Sequence, residues 1–84
     1  MSYQLLILRR AQRELALLPI REYERIKEAI GKLADEPRPP GCRKLTGREG
    51  WRLRAGDYRV IYEVNDRERT VLVLHIGHRR DVYQ

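Results

Sequence analysis

The chain has 84 residues, 42% apolar and 36% charged, which is enough for one small domain (residues 1–84) with a thin core and no deep enclosed pocket. Its longest apolar runs, Leu5–Leu8 and Val71–Leu74, fall far short of the ~20 residues that span a bilayer, so no membrane role is expected. The start, Met-Ser-Tyr-Gln, lacks a basic segment followed by an apolar one, and the single Cys42 cannot form an internal disulfide; both fit a reducing cytoplasm.

Net charge is +6, and among the 18 cations only Lys27, Lys32 and Lys44 are lysine; the rest are arginine. The planar guanidinium suits bidentate contact with phosphate, so the surplus points to nucleic acid or to an acidic protein partner. A GC-rich genome that writes arginine wherever a cation serves is the competing explanation.

Tyr3–Leu8 is short and apolar and reads as a buried strand. Ala11, Leu15 and Leu18 recur at helical spacing, which predicts an amphipathic helix over Arg10–Leu18, ended by Pro19. Ile20, Tyr23, Ile26, Ile30 and Leu33 form a second apolar stripe that runs to Asp35, and so short a break makes the two helices a hairpin. Residues 36–41, Glu-Pro-Arg-Pro-Pro-Gly, make a stiff connector.

The period then changes to two. Arg43–Leu45 is read as a short strand and Thr46–Gly50 as a turn, followed by strands Trp51–Ala55, Tyr58–Val64 and Thr70–Gly77. Gly56-Asp57 closes the first hairpin, and a five-residue loop, Asn65–Arg69, the second. The fold class is therefore α+β: an N-terminal strand, a two-helix hairpin and an antiparallel meander, with both helices on one face of the sheet.

A two-residue turn at Gly56-Asp57 sets Arg54 opposite Arg59 and Trp51 opposite Tyr62. The five-residue loop sets Val60 opposite Leu74, Tyr62 opposite Leu72 and Arg59 opposite His75. One face then collects Trp51, Leu53, Tyr58, Val60, Tyr62, Leu72, Leu74 and Ile76, and the other Arg52, Arg54, Arg59, Ile61, Val73 and His75. Like charges directly opposed across antiparallel strands repel, and an anion held between two guanidinium forks would remove that penalty. A solvated face with splayed arginines is the bland alternative. His75, His78 and Cys42 lack the compact spacing of a zinc site, and neither a serine nucleophile with a helper nor a Gly-rich phosphate loop occurs, so no metal or cofactor is expected.

The string Trp51-Arg-Leu-Arg-Ala-Gly-Asp-Tyr-Arg-Val-Ile-Tyr-Glu-Val, then Val73-Leu-His-Ile-Gly-His-Arg-Arg-Asp-Val-Tyr83, with Lys44-Leu-Thr-Gly47 ahead of it, resembles the RelE branch of the RelE/ParE toxin superfamily of type II toxin–antitoxin modules. The resemblance covers the whole chain. It implies a ribosome-dependent endonuclease that cuts mRNA in the ribosomal A site and is neutralised by a cognate RelB-like antitoxin. The toxin–antitoxin complex would then bind its own operator DNA through the antitoxin.

By motif position, Arg52 and Arg54 match the basic pair before the tight turn, Arg59 the arginine of the following strand, Arg79 the basic residue after the last strand, and Tyr83 the C-terminal tyrosine. The family chemistry implies that the arginines stabilise charge on the phosphate, Tyr83 acts as base, and Arg79 or His78 serves the leaving oxygen. Relatives carry lysine where this chain has Arg52 and Arg54, and arginine exchanges no protons near neutral pH. Two other readings stay open: a ParE-like inhibitor of DNA gyrase without catalysis, and a plain basic nucleic-acid-binding domain.

Overall fold

The computed structural model describes residues 2–78. Strand β1 (Gln4–Ile7) leads into helix α1 (Arg9–Ala16) and helix α2 (Ile20–Lys32), followed by β2 (Arg43–Lys44), β3 (Trp51–Ala55), β4 (Tyr58–Asn65) and β5 (Thr70–His78). The sheet order is β1-β5-β4-β3-β2, with β1 parallel to β5 and every other pairing antiparallel. This is the expected α+β architecture.

Both helices pack on one face. Ala11, Ile26, Ile30 and Leu33 meet Leu53, Val60, Tyr62, Val71, Val73 and Ile76 in a single core. Pro19 breaks the hairpin as expected, being the N-terminal flank of α2 at φ −56° with no N–H to satisfy. Ile20 departs from the predicted stripe. It is 71% exposed at the hairpin tip, beside Leu17 at 84%, because α2 joins the core only from Ile26 onward.

The β3–β4 register is the predicted one, with Trp51 opposite Tyr62, Leu53 opposite Val60 and Arg54 opposite Arg59. Gly56 sits at φ +61° and Asp57 is not left-handed, the pattern of a type II′ turn, whose twist suits a two-residue hairpin.

The β4–β5 register is not the predicted one. Val60 faces Ile76, Tyr62 faces Val73 and Arg59 faces Gly77, with a bulge at Ile61/Tyr62. Two devices cause this. The loop has four residues, Asp66–Arg69, because Asn65 pairs with Thr70; the Asn65 side chain accepts the Glu68 N–H, and Arg69 takes a left-handed φ of +54°. That one-residue change turns Val71 and Val73 to the core and takes Leu72 and Leu74 out of it. The bulge then reverses parity again, so Ile76 returns to the core and His75 lies opposite Ile61 on the other face.

The connector is pinned through Pro37 and Arg38. Buried Tyr62 donates its hydroxyl to the Pro37 carbonyl at 2.6 Å. Arg38 grips Asp66 with bonds of 2.8 and 3.2 Å and stacks 5.2 Å from the Trp51 ring. Tyr3 donates to the same carboxylate at 2.6 Å.

Candidate functional site

The face away from the helices is where the arginines gather. Successive strand residues alternate sides, so the β3–β4 register sends Arg52, Arg54 and Arg59 to one face. A second hairpin adds to them. Gly47 at φ +76° and Gly50 at φ +120° close the β2–β3 turn, Leu45 donates to the Gly50 carbonyl, and Arg43 falls directly opposite Arg52. Gly50 is also hemmed in: an added Cβ would lie 3.1 Å from Leu45 and 3.2 Å from the Tyr62 carbonyl.

Two like-charged pairs thus stand in succession, Arg43 opposite Arg52 and Arg54 opposite Arg59. The Arg54–Arg59 pair costs a few tenths to ~1 kcal/mol. All four arginines line one open cleft of about 580 Å³, walled by Pro40, Gly41 and Cys42. Arg43 and Arg54 are exposed and Arg52 half-buried, whereas Arg59 is only 7% exposed.

A guanidinium carries five donors, and Arg59 donates a long hydrogen bond from Nη1 to the Tyr58 carbonyl at 3.4 Å. None of the ion pairs among the described residues involves Arg43, Arg54 or Arg59. Such a cleft can clasp an anion by charge-assisted, forked hydrogen bonds.

Of the residues singled out in the sequence, Arg52, Arg54 and Arg59 are therefore brought together. His78 is not. It pairs with Tyr58, on the rung next to Arg59 and hence on the opposite face, and its ring meets that of Tyr58 edge-on at 5.5 Å. Arg79 and Tyr83 lie outside the described residues.

The match to the ParE toxin family of type II toxin–antitoxin systems, parDE, runs over residues 5–83. The chain belongs to the RelE/ParE superfamily of toxins. Toxin RelG of Mycobacterium tuberculosis is 35% identical over 88 residues, covering 100% of this chain and 99% of its own. In the archaeal RelE–RelB complex from Pyrococcus horikoshii, a chain 33% identical superposes with a TM-score of 0.85 over 96% of this toxin and 99% of that chain. The isolated RelE toxin of E. coli is 28% identical, with a TM-score of 0.80 over 98% of this toxin and 92% of that one.

The toxin has two further features that sequence reasoning missed. Arg43 was legible only as the first residue of a short strand, and its place depends on the Thr46–Gly50 turn. The second feature is a carboxylate–imidazole pair. Glu14 on α1 accepts from the Ile76 N–H at 2.8 Å and meets His75 Nδ1 at 2.7 Å, while Arg10 holds the same carboxylate at 3.1 Å. Strand β1 stops at the level of Val73, so beyond it the edge of β5 is free, and Glu14 caps it. Sixty-one residues separate the pair, and no local spacing signals it.

Proposed function

We propose that this toxin is a ribosome-dependent mRNA endonuclease, and that the arginine cleft holds the phosphodiester that is cut. One observation carries the reading: two directly opposed arginine pairs share one cleft on the face away from the helices. In the reaction a 2′-hydroxyl attacks the adjacent phosphorus, leaving a 2′,3′-cyclic phosphate and a 5′-hydroxyl. Negative charge gathers on the phosphoryl oxygens as the new P–O bond forms, and fixed cations aimed at them lower the barrier.

Arg54 and Arg59 supply that field, with Arg52 beside them. Tyr83 is the base and Arg79 neutralises the departing 5′-oxygen, roles proposed from the resemblance alone. His78, on the other face, is left without a part. Arginines hold charge without exchanging protons near neutral pH, so proton transfer is slow unless the message is already held in place, and the ribosome supplies that order. An acidic segment of a RelB-like antitoxin neutralises the toxin by covering the cleft, in keeping with the RelE–RelB complexes among the similar structures. The complex then recognises its operator through the antitoxin. Acting on ribosomes, the toxin works in the cytoplasm.

Primer extension on a translated message, with and without induction, tests this. Cuts inside translated codons that vanish with Arg59→Ala or Tyr83→Phe are the expected result. The match to the ParE family favours a second reading, a gyrase inhibitor without catalysis. Intact transcripts together with blocked plasmid supercoiling would establish that reading instead.

A further inference from the structure

The two arginine pairs are separate rungs, not one cluster. Arg52 and Arg54 sit two residues apart on β3, and side chains on one face of a strand recur every ~6.8 Å. That interval is comparable to the separation of neighbouring phosphates along one nucleic-acid strand. Arg43 extends the first rung outward onto β2, and Arg59 extends the second inward onto β4. The rungs also differ in depth: Arg59 is nearly buried, whereas Arg43 stands exposed at the sheet edge.

We infer that the cleft contains two successive phosphate subsites, a deep one at Arg54 and Arg59 and a shallow one at Arg43 and Arg52, so that a single RNA strand runs along β3 with neighbouring phosphates on adjacent rungs. Arg43 is then a binding residue for the phosphate next to the one that reacts. The inference rests on the reading of the cleft as an RNA site, and it adds a register and a direction. Pro40, Gly41 and Cys42 line the cleft and lead directly into β2, so they wall it on the side of β3 away from β4, which favours a strand lying along β3 over one crossing it.

The test uses the full chain and uncleavable 2′-O-methyl oligouridylates carrying one phosphate (dimer) or two (trimer), titrated at several salt concentrations. Wild type should bind the trimer about tenfold tighter than the dimer, the low end for hydrogen bonds to a charged group. Its salt dependence should be steeper by ~0.7 in log–log slope, the value for one more phosphate on a single strand. Arg43→Gln should abolish both differences, so that the trimer binds no tighter than the dimer. Arg43→Lys should keep the slope and lose part of the affinity, since the charge stays and the fork is lost. Thermal melts of the variants, run alongside, separate lost binding from lost folding.

Equal affinity of dimer and trimer for wild type, or a trimer advantage that survives Arg43→Gln, would overturn the proposal. So would a hexaglutamate peptide that binds as tightly as the trimer and loses as much on Arg43→Gln, because the groove would then be one for acidic protein. A two-phosphate response without mRNA cleavage on ribosomes would support the subsites and defeat the nuclease reading. Cleavage without that response would do the reverse.

Discussion

If Arg54 and Arg59 repel each other for the sake of an anion, reversing one charge should make the free toxin more stable. Arg54→Glu converts a directly opposed like pair into an opposite pair. Relief of the repulsion contributes a few tenths to ~1 kcal/mol, and the new attraction a similar amount, so a net gain of ~1 kcal/mol is a fair central value. For a domain of this size that raises Tm by about 4–8 °C. The gain should be largest at low salt and mostly vanish near 1 M, where the screening length falls to ~3 Å. Arg54→Gln, which removes the repulsion alone, should give roughly half. Calorimetry of the three proteins across a salt series reads this directly, and the same variants should lose oligonucleotide binding. An Arg54→Glu protein no more stable than wild type at low salt would refute the reasoning: the guanidiniums would then be splayed into solvent, and their juxtaposition would say nothing about a ligand.

Tyr62→Phe removes the bond to the Pro37 carbonyl and should cost ~1 kcal/mol, with faster amide exchange in the connector, visible by NMR. Glu14→Ala strands the Ile76 N–H and releases His75; a loss of about 1–3 kcal/mol in urea unfolding is expected, with Glu14→Gln recovering part through its remaining acceptor. Asp66 is held below the usual carboxylate value, first by its hydrogen bonds from Arg38 and then by the Tyr3 hydroxyl. A depressed carboxylate adds stability above its unfolded value of about 3.8 and loses it as pH falls through the lower folded value, so Asp66→Asn should flatten the acid limb of a stability-against-pH curve.

The parts of the fold written in local signals were legible from sequence. The Gly56-Asp57 turn admits few geometries, and every β3–β4 partner followed from it, including the opposed arginines. The helix-facing core followed from period, through Ala11, Ile26, Ile30 and Leu33. The β4–β5 pairing was illegible because two one-residue devices act in succession along it. A four-residue loop stabilised by Asn65 and a left-handed Arg69 shifts the pairing by one, and the bulge at Ile61/Tyr62 shifts it by one more in the same sense, so the faces return while the partners end two residues away. Alternation reads a strand as uninterrupted, so it assigned Ile76 and His75 to the right faces and Leu72, Leu74 and Val73 to the wrong ones. Ile20 failed for a different reason: helical period gives direction around an axis, and says nothing of how far along that axis the neighbouring sheet extends.

The same division separates the halves of the candidate site. Arg52, Arg54 and Arg59 sit on two strands joined by the tightest turn in the chain, so one local rule brings them together. Arg43 joins them through a looser turn with two left-handed glycines, and Glu14 reaches His75 only because β1 ends before β5 does. Both of these additions occur at sheet edges, β2 on one side and the free margin of β5 on the other. Edge positions depend on where a neighbouring strand stops, which is a property of the assembled sheet and leaves no period in the residues themselves. A residue such as Arg43 therefore escapes a search by motif yet stands out in the sheet, because it sets a second rung of guanidiniums beside the first along one cleft.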